Sequence, residues 1–137
     1  MSGAARTLLL DTCTLLEMTI VPGRIARAAM AELNDPSVEL LVSAATAWEV
    51  SIKTRQGKLA GGERLLASWD RALLDLQATP LGIDHNDAIR AGGLPWAHRD
   101  PFDRMLVAQA TRNNVPLVTR DEVILGAGIV ATLDTRR

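Results

Sequence analysis

The sequence predicts one domain over residues 1–137, a three-layer α/β/α fold with a central, mostly parallel sheet. Short unbroken apolar runs, which are typical of strands buried on both faces, alternate along the chain with segments of helical periodicity. Such alternation favours parallel strands joined by helices that cover both faces of the sheet. The length fits a single domain, and 47% hydrophobic with only 3% aromatic residues predicts an aliphatic core.

Predicted strands end at polar residues, and predicted helices begin there. Asp11 follows the first apolar run and Ser43 follows the second, and both residue types are good helix N-caps. In chain order, the predicted elements are a strand at 7–10, a helix at 24–33 after a break at Pro22 and Gly23, a strand at 40–42, a helix at 44–53 whose apolar stripe includes Ala45, Trp48 and Ile52, a helix at 63–76, a strand at 79–83, a short helix from Asp84 to Gly92 and Gly93, a helix from Pro101 to Asn113 and Asn114, and strands at 115–119 and 128–133.

Charge and cysteine content narrow the functional classes. A formal net charge of -1 excludes attraction of a polyanion by the molecule as a whole. The single cysteine, Cys13, cannot form an intrachain disulfide, which fits a reducing compartment. No apolar run approaches the ~18 residues of a membrane span, and residues 1–7 lack the apolar core of a signal peptide. We therefore expect a cytoplasmic protein with no membrane partner.

The helix predicted from Pro101 has an acidic beginning. Asp100 suits the N-cap, Pro101 the first helical position, and Asp103 the first turn, where backbone N–H groups lack partners. Residues three and four positions after Asp103 are Leu106 and Val107, so its carboxylate leans toward the buried side. A carboxylate in a low dielectric is costly unless a cation or a hydrogen-bond donor meets it.

Acidic residues from separate segments are expected to meet at one edge of the sheet. Asp11 and Asp121 follow apolar strands, and a helix that precedes a parallel strand begins near the same carboxyl edge, which brings Asp100 and Asp103 there. Glu49 lies about a turn and a half into its helix, within reach of that edge. Oxygen ligands without a Cys or His cluster favour Mg²⁺ or Mn²⁺, and two such ions support phosphodiester hydrolysis.

Each of these acids also has an ordinary structural explanation. Asp11, Asp100 and Asp121 suit helix N-caps, and Glu49 stands four residues before Lys53, a common surface ion pair. Other polar and aromatic residues are assigned no chemistry. His85 and His98 are expected to be surface or capping residues, Cys13 to be a packing residue with a raised thiol pKa, and Trp48, Trp69 and Trp96 to lie in the core or an interface.

Four ordered segments resemble the PIN domain, and most closely the VapC toxins of bacterial toxin–antitoxin systems. The resemblance spans essentially the whole chain. It rests on LLDTC at 9–13, SAATAWEVSIK at 43–53 followed by GKL at 57–59, HRDPFDR at 98–104, and LVTRD at 117–121.

This resemblance implies a Mg²⁺- or Mn²⁺-dependent endoribonuclease toxin that a cognate VapB-like antitoxin neutralises and that is commonly a homodimer. By position, the catalytic and metal-binding acids are Asp11, Glu49, Asp103 and Asp121, and Asp100 matches an additional acid. Thr12 matches a small hydroxyl residue that supports a carboxylate or a water.

Three arginines beside the matched acids, Arg99, Arg104 and Arg120, are candidates for RNA phosphate contacts. The alternative interpretation is that they form ion pairs with those acids or hold neighbouring helices together. The alternative function is a non-catalytic PIN-like or receiver-like binding or signalling module. A receiver needs a lysine after its fifth strand, whereas the lysines of this chain are Lys53 and Lys58.

Overall fold

A computed structural model describes residues 6–21 and 23–137, and these fold as a five-stranded sheet between two layers of helices. The strands are β1 (Arg6–Leu10), β2 (Val38–Ser43), β3 (Ala78–Leu81), β4 (Leu117–Thr119) and β5 (Thr132–Asp134). The helices are α1 (Thr12–Thr19), α2 (Arg27–Leu33), α3 (Ala44–Arg55), α4 (Gly62–Ala67), α5 (Trp69–Asp75), α6 (His85–Gly93), α7 (Pro101–Asn113) and α8 (Glu122–Ala127).

The predicted three-layer α/β architecture is confirmed, and the alternation of side chains along β1 explains it. Leu8 and Leu10 point into a core cluster that α1, α2 and α5 complete. Leu9 points the other way, into a second cluster completed by α7 and α8. Successive side chains of a strand face opposite sides of a sheet, so an unbroken apolar run requires helices on both faces.

The order of the strands creates a crevice at the centre of the sheet. The order is β3-β2-β1-β4-β5, and every described pairing is parallel. The chain leaves β1 toward β2 and β3, then crosses back to β4 on the other side of β1. In open α/β sheets, ligands bind outside the carboxyl ends of the strands at such a reversal. Asp11 follows β1 directly and Asp121 lies two residues beyond β4, so both lie at the carboxyl edge of the sheet beside this reversal.

The predicted helix caps are confirmed. Ser43 accepts a hydrogen bond from the backbone N–H of Ala45 at 3.0 Å, and Asp84 forms a capping box with Asp87. Asp100 caps α7, which has Pro101 in its first turn as predicted. Within the described residues, no helix is long and apolar enough to cross a bilayer.

Three sequence predictions were wrong in detail. The helix predicted at 63–76 is broken at Ser68, whose hydroxyl donates to the Arg64 carbonyl oxygen at 2.8 Å and so satisfies the end of α4. The last strand begins at Thr132 rather than at residue 128, because Gly128 has a φ of +65° and ends α8. Trp48, predicted on the apolar stripe of its helix and in the core or an interface, is 60% exposed, which rules out the core.

Other predicted boundaries moved by a few residues. The second helix, predicted over 24–33, begins at Arg27, and β4 begins at Leu117 rather than at residue 115. The predicted break at Pro22, and most of residues 1–7, lie outside the described residues.

Leu9→Ala should destabilise the protein by about 2–5 kcal/mol, because it opens a cavity at a fully buried position in the central strand. Leu74→Ala is the matched control, since Leu74 is 70% exposed and its truncation should change the free energy of unfolding by about 0.5 kcal/mol or less. Urea denaturation measures both. Equal effects of the two variants would contradict the assignment of β1 to the core.

Candidate active site

The beginning of α7 lies at the carboxyl edge of the sheet because a buried glutamine ties the helix to two strand ends. Gln109 is fully buried; its Oε1 accepts a 2.6 Å hydrogen bond from the Ser43 hydroxyl, at the end of β2. Its amide nitrogen donates to the carbonyl oxygen of Gly82, one residue beyond β3, at 3.1 Å. The helix therefore has a fixed register relative to the sheet, and its acidic first turn faces the crevice edge.

Asp100 and Asp103 form a compact group with a histidine. Asp100 Oδ1 accepts hydrogen bonds from the backbone N–H groups of Phe102 and Asp103, at 2.8 and 3.1 Å. Asp103 Oδ2 lies 2.7 Å from His98 Nε2. One ligand atom from each of His98, Asp100 and Asp103 lies within 4.8 Å of the others, which is close enough for a single metal ion.

The electrostatics of Asp103 show that Asp121 belongs to the same region. Burial raises the pKa of Asp103 to about 6, and the negative charges of Asp100 and Asp121 add to this rise. The hydrogen bond with His98 acts in the opposite direction. The ionised form of Asp103 is therefore not fully compensated by positive charge. A cation-binding carboxylate has this property when its cation is absent.

Glu49 reaches this group through a lysine. Lys53 Nζ lies 2.6 Å from Glu49 Oε2, so the ordinary i, i+4 ion pair foreseen from the sequence does form. Burial lowers the pKa of Lys53, but the hydrogen bond with Glu49 and the charges of Asp100 and Asp103 outweigh burial and raise it overall. The Lys53 ammonium group thus forms an ion pair with a carboxylate of α3 and interacts electrostatically with the carboxylates at the beginning of α7.

Asp11 is buried at the other side of the crevice and is joined to Asp121 by a threonine. Asp11 Oδ1 accepts the backbone N–H of Thr14 at 2.7 Å and caps α1. Burial raises the pKa of the Asp11 carboxyl, and a hydrogen bond from the Thr119 side chain opposes the rise. Thr119 Oγ1 also accepts the backbone N–H of Asp121 at 3.0 Å. The end of β4 therefore positions two of the predicted acids.

Thr12, predicted to support a carboxylate or a water, contacts another threonine. Thr12 lies 3.2 Å from Thr46, measured between their hydroxyl oxygens, and this buried hydrogen bond joins α1 to α3. Within the described contacts Thr12 holds no carboxylate.

The three candidate arginines differ in what they bind. The Arg104 guanidinium donates to five backbone carbonyl oxygens at distances of 2.7 to 3.2 Å: those of Ala91, Gly92, Leu94, Trp96 and His98. All its N–H groups are used within the protein, which leaves none for an RNA phosphate. Arg120 contacts Glu17 at 3.2 Å. Arg99 is exposed and, among the described residues, has no ion pair and no side-chain hydrogen bond.

Sequence reasoning missed Glu17, a buried acid of α1. Glu17 is only 3% exposed, and its Oε1 accepts from Arg120 and from the Cys13 thiol. Its Oε2 is buried and has no hydrogen-bond partner among the described residues, and the charge of Glu17 contributes to the raised pKa of Asp11. The available signal was a lone charged residue in a stretch that is otherwise uncharged.

Two other assignments from the sequence need correction. His98, expected at the surface or as a cap, is partly buried and contacts Asp103. Cys13, expected to be a packing residue, is exposed. The expected rise of its pKa is confirmed: although the residue is exposed, partial desolvation of the thiol and its hydrogen bond to Glu17 raise the pKa to about 12, so it is a poor nucleophile.

A model of the PIN domain matches residues 8–128. The chain belongs to the PIN domain family. Members of this family are generally nucleases and typically use divalent metals. A comparison with curated proteins found no match for this PIN domain.

Solved structures from several bacteria share the fold. VapBC2 from Rickettsia felis, bound to a DNA fragment from its promoter, has a TM-score of 0.66 and 14% identity over 93% of this chain and 98% of that chain. FitAcB from Neisseria gonorrhoeae has a TM-score of 0.65 and 20% identity, over 93% and 97%. VapBC-1 from nontypeable Haemophilus influenzae has a TM-score of 0.62 and 19% identity, over 96% of this chain and 99% of that chain.

The residues of this PIN domain fit a hard divalent cation. Among the described residues, the donors that lie close enough to share one ion are carboxylate oxygens of Asp100 and Asp103 and one imidazole nitrogen of His98, and the group does not include Asp11, Glu49 or Asp121. Asp11 and Asp103 carry raised pKa values because burial is incompletely compensated, which is the state a cation relieves. The predominance of oxygen matches Mg²⁺ and Mn²⁺ rather than Zn²⁺.

The raised pKa of Asp103 should make the stability of the metal-free protein depend on pH. In the folded state Asp103 keeps its proton up to about pH 6. In the unfolded chain its pKa is the ordinary 3.8, so the proton is lost at a lower pH. The free energy of unfolding should therefore fall as pH rises from about 4 to about 6, by about 2 kcal/mol from this group. Asp103→Asn should remove that part of the dependence in urea denaturation at a series of pH values.

Asp70→Asn is the control for this experiment, since Asp70 is exposed in the first turn of α5. Its stability profile should run parallel to that of the wild type. Parallel profiles for the wild type and Asp103→Asn would contradict the raised pKa.

Proposed function

We propose that this PIN domain is a Mg²⁺- or Mn²⁺-dependent endoribonuclease and the toxin of a toxin–antitoxin pair. The observation that carries the proposal is the site of Asp103. Its partly buried carboxylate lies with Asp100 and His98 in a group of metal-binding size, and the charge of Asp121 raises its pKa. The position of this group at the reversal of strand order supports a ligand-binding role.

Asp11, Glu49, Asp103 and Asp121 are the proposed metal ligands, with Asp100 as an additional one. Bound there, the divalent ion would supply Lewis acidity for the attack of water on an RNA phosphodiester. The PIN family membership and the oxygen-rich donor set support this choice of chemistry.

The other residues of the site would prepare these acids for the reaction. His98 fixes the orientation of Asp103 through the 2.7 Å contact, and Thr119 connects the positions of Asp11 and Asp121. Lys53 restrains Glu49 and reduces the repulsion among the acids of α3 and α7. Arg99, exposed beside Asp100, is the candidate of the three arginines with free donors for an RNA phosphate.

The proposed partner is a cognate antitoxin of the VapB type. The support is the similarity in fold to chains of the VapBC and FitAB complexes. The proposal includes the homodimer that the sequence resemblance implies, which sedimentation analysis of the purified chain would measure.

Purified wild-type protein should cleave RNA in Mg²⁺ or Mn²⁺, and cleavage should stop when EDTA is added. Asp11→Asn and Asp103→Asn should each lower the cleavage rate by about 100-fold or more, because metal-dependent stabilisation of the transition state is worth several kcal/mol. A gel assay with a structured RNA measures the rates, and thermal denaturation verifies that the variants are folded.

Asp70→Asn is again the matched control and should cleave at the wild-type rate. Cleavage that EDTA does not affect would contradict the metal requirement. No cleavage by the wild type would favour the non-catalytic binding module, and an active Asp11→Asn or Asp103→Asn variant would remove that residue from the proposed ligands.

Expression of the chain without an antitoxin should arrest bacterial growth, because uncontrolled RNA cleavage stops protein synthesis. The inactive Asp103→Asn variant should relieve the arrest at equal expression, measured by colony counts and immunoblotting. Arrest that persists with this variant would show that toxicity does not depend on the proposed site.

A further inference from the structure

An apolar pocket of about 240 Å³ lies immediately beside the acidic site and has no role in the metal-dependent step. The side chains of Trp48, Phe102 and Met105 contribute to its wall, and Ile83 and Arg99 complete part of its rim. Apolar recesses with a few polar groups at the edge are the usual form of small-ligand subsites.

The pocket and the acids are built from the same two helices. Trp48 precedes Glu49 on α3, and Phe102 lies between Asp100 and Asp103 on α7. Successive residues of a helix point about 100° apart, so each helix presents an acid and an aromatic ring on adjoining faces. The pocket therefore adjoins Glu49 and the acids of α7.

Trp48 is exposed although it is anchored. Its indole is 60% exposed, yet it packs edge-to-face against Phe102 with ring centroids 5.2 Å apart and an interplanar angle of 80°. The packing restrains the ring, and its free face remains available for contact. A restrained aromatic face open to solvent is what a stacking platform requires, and every base offers a matching π-face.

The two arginines at the pocket have different roles. Arg104 is held by its five carbonyl contacts, so this side of the pocket is rigid before a ligand arrives. Arg99 is exposed and, in the described part of the chain, forms no ion pair. An apolar slot with one free cation at its edge matches a nucleotide, which pairs a flat ring system with a phosphate.

We propose that this pocket binds one nucleobase of the RNA strand next to the cleaved phosphodiester, with the base stacked on Trp48 and the adjoining phosphate held by Arg99. This subsite rests on the proposed ribonuclease function, and it makes Trp48 a residue that determines substrate affinity. The rival occupant is a second copy of the chain, and the experiment distinguishes the two.

The test measures binding apart from cleavage. The full-length chain carrying Asp11→Asn, in Mg²⁺, is titrated by fluorescence anisotropy with a short single-stranded RNA. The titration is repeated with a set of RNAs of the same sequence, each of which carries one abasic nucleotide at a different position. Base–aromatic stacking typically changes affinity by about 5- to 150-fold. Trp48→Ala should weaken binding of the intact RNA about tenfold, and Trp48→Phe, which keeps an aromatic face, should weaken it less than threefold.

Coupling between the protein and the RNA is the decisive result. One abasic position should weaken binding about tenfold in the protein with Trp48 and should have no further effect in Trp48→Ala. Ile89→Ala is the matched control, because Ile89 is an exposed apolar residue of α6 outside the pocket. It should leave affinity unchanged. Independent effects of Trp48→Ala and of the abasic substitution at every position would overturn the proposal.

The cleavage assay and sedimentation analysis separate the remaining outcomes. In the otherwise wild-type chain, Trp48→Ala should raise KM about tenfold with little change in kcat. Normal KM in an active Trp48→Ala enzyme would overturn the subsite and leave the ribonuclease function intact. Trp48-dependent abasic coupling in a chain that never cleaves RNA would support the subsite and reject the ribonuclease. A dimer that dissociates on Trp48→Ala, without abasic coupling, would assign the pocket to contact between copies and overturn the proposal.

Discussion

Helix capping and the gathering of negative charge use the same carboxylates in this molecule, and the arrangement of the site depends on that double use. Asp11, Asp100 and Asp121 each accept backbone N–H groups through Oδ1 at the beginning of α1, α7 and α8. Capping fixes each carboxylate and offsets part of its charge with the positive end of a helix. The sequence left a choice between capping and site chemistry, and the geometry makes them compatible.

The parallel sheet explains why distant segments meet. Because all described strands run in one direction, every strand end and the first turn of α7 lie along a single edge. These features were predictable, since buried parallel strands and helix caps have local signatures at residues 7–10, Ser43 and Asp100. The break at Ser68 and the late beginning of β5 were not, because each depends on a local backbone conformation that apolar spacing does not report.

Asp11, Asp100, Asp103 and Asp121 could be proposed from the sequence because each follows a strand or lies in or before the first turn of a helix. The pair of Glu49 with Lys53 was also predictable from its spacing, whereas the contacts of His98 and Thr119 were missed because they depend on tertiary structure. His98 meets Asp103 only through the path of the loop after α6, and Thr119 connects two acids only because β4 pairs with β1. Trp48 illustrates the opposite error. Its helical spacing matched the apolar stripe, and the structure leaves its ring largely in solvent.

The loop between α6 and α7 shows that a connection without regular structure can still be precise. Arg104 contacts carbonyl oxygens from Ala91 to His98, and the last of these residues is the partner of Asp103. The Arg104 guanidinium therefore fixes the path of this segment relative to the first turn of α7. Adding or deleting a single residue would shift the imidazole away from its carboxylate, so length variation that most surface loops tolerate should be absent here. A tag or fused domain is better placed elsewhere on the molecule.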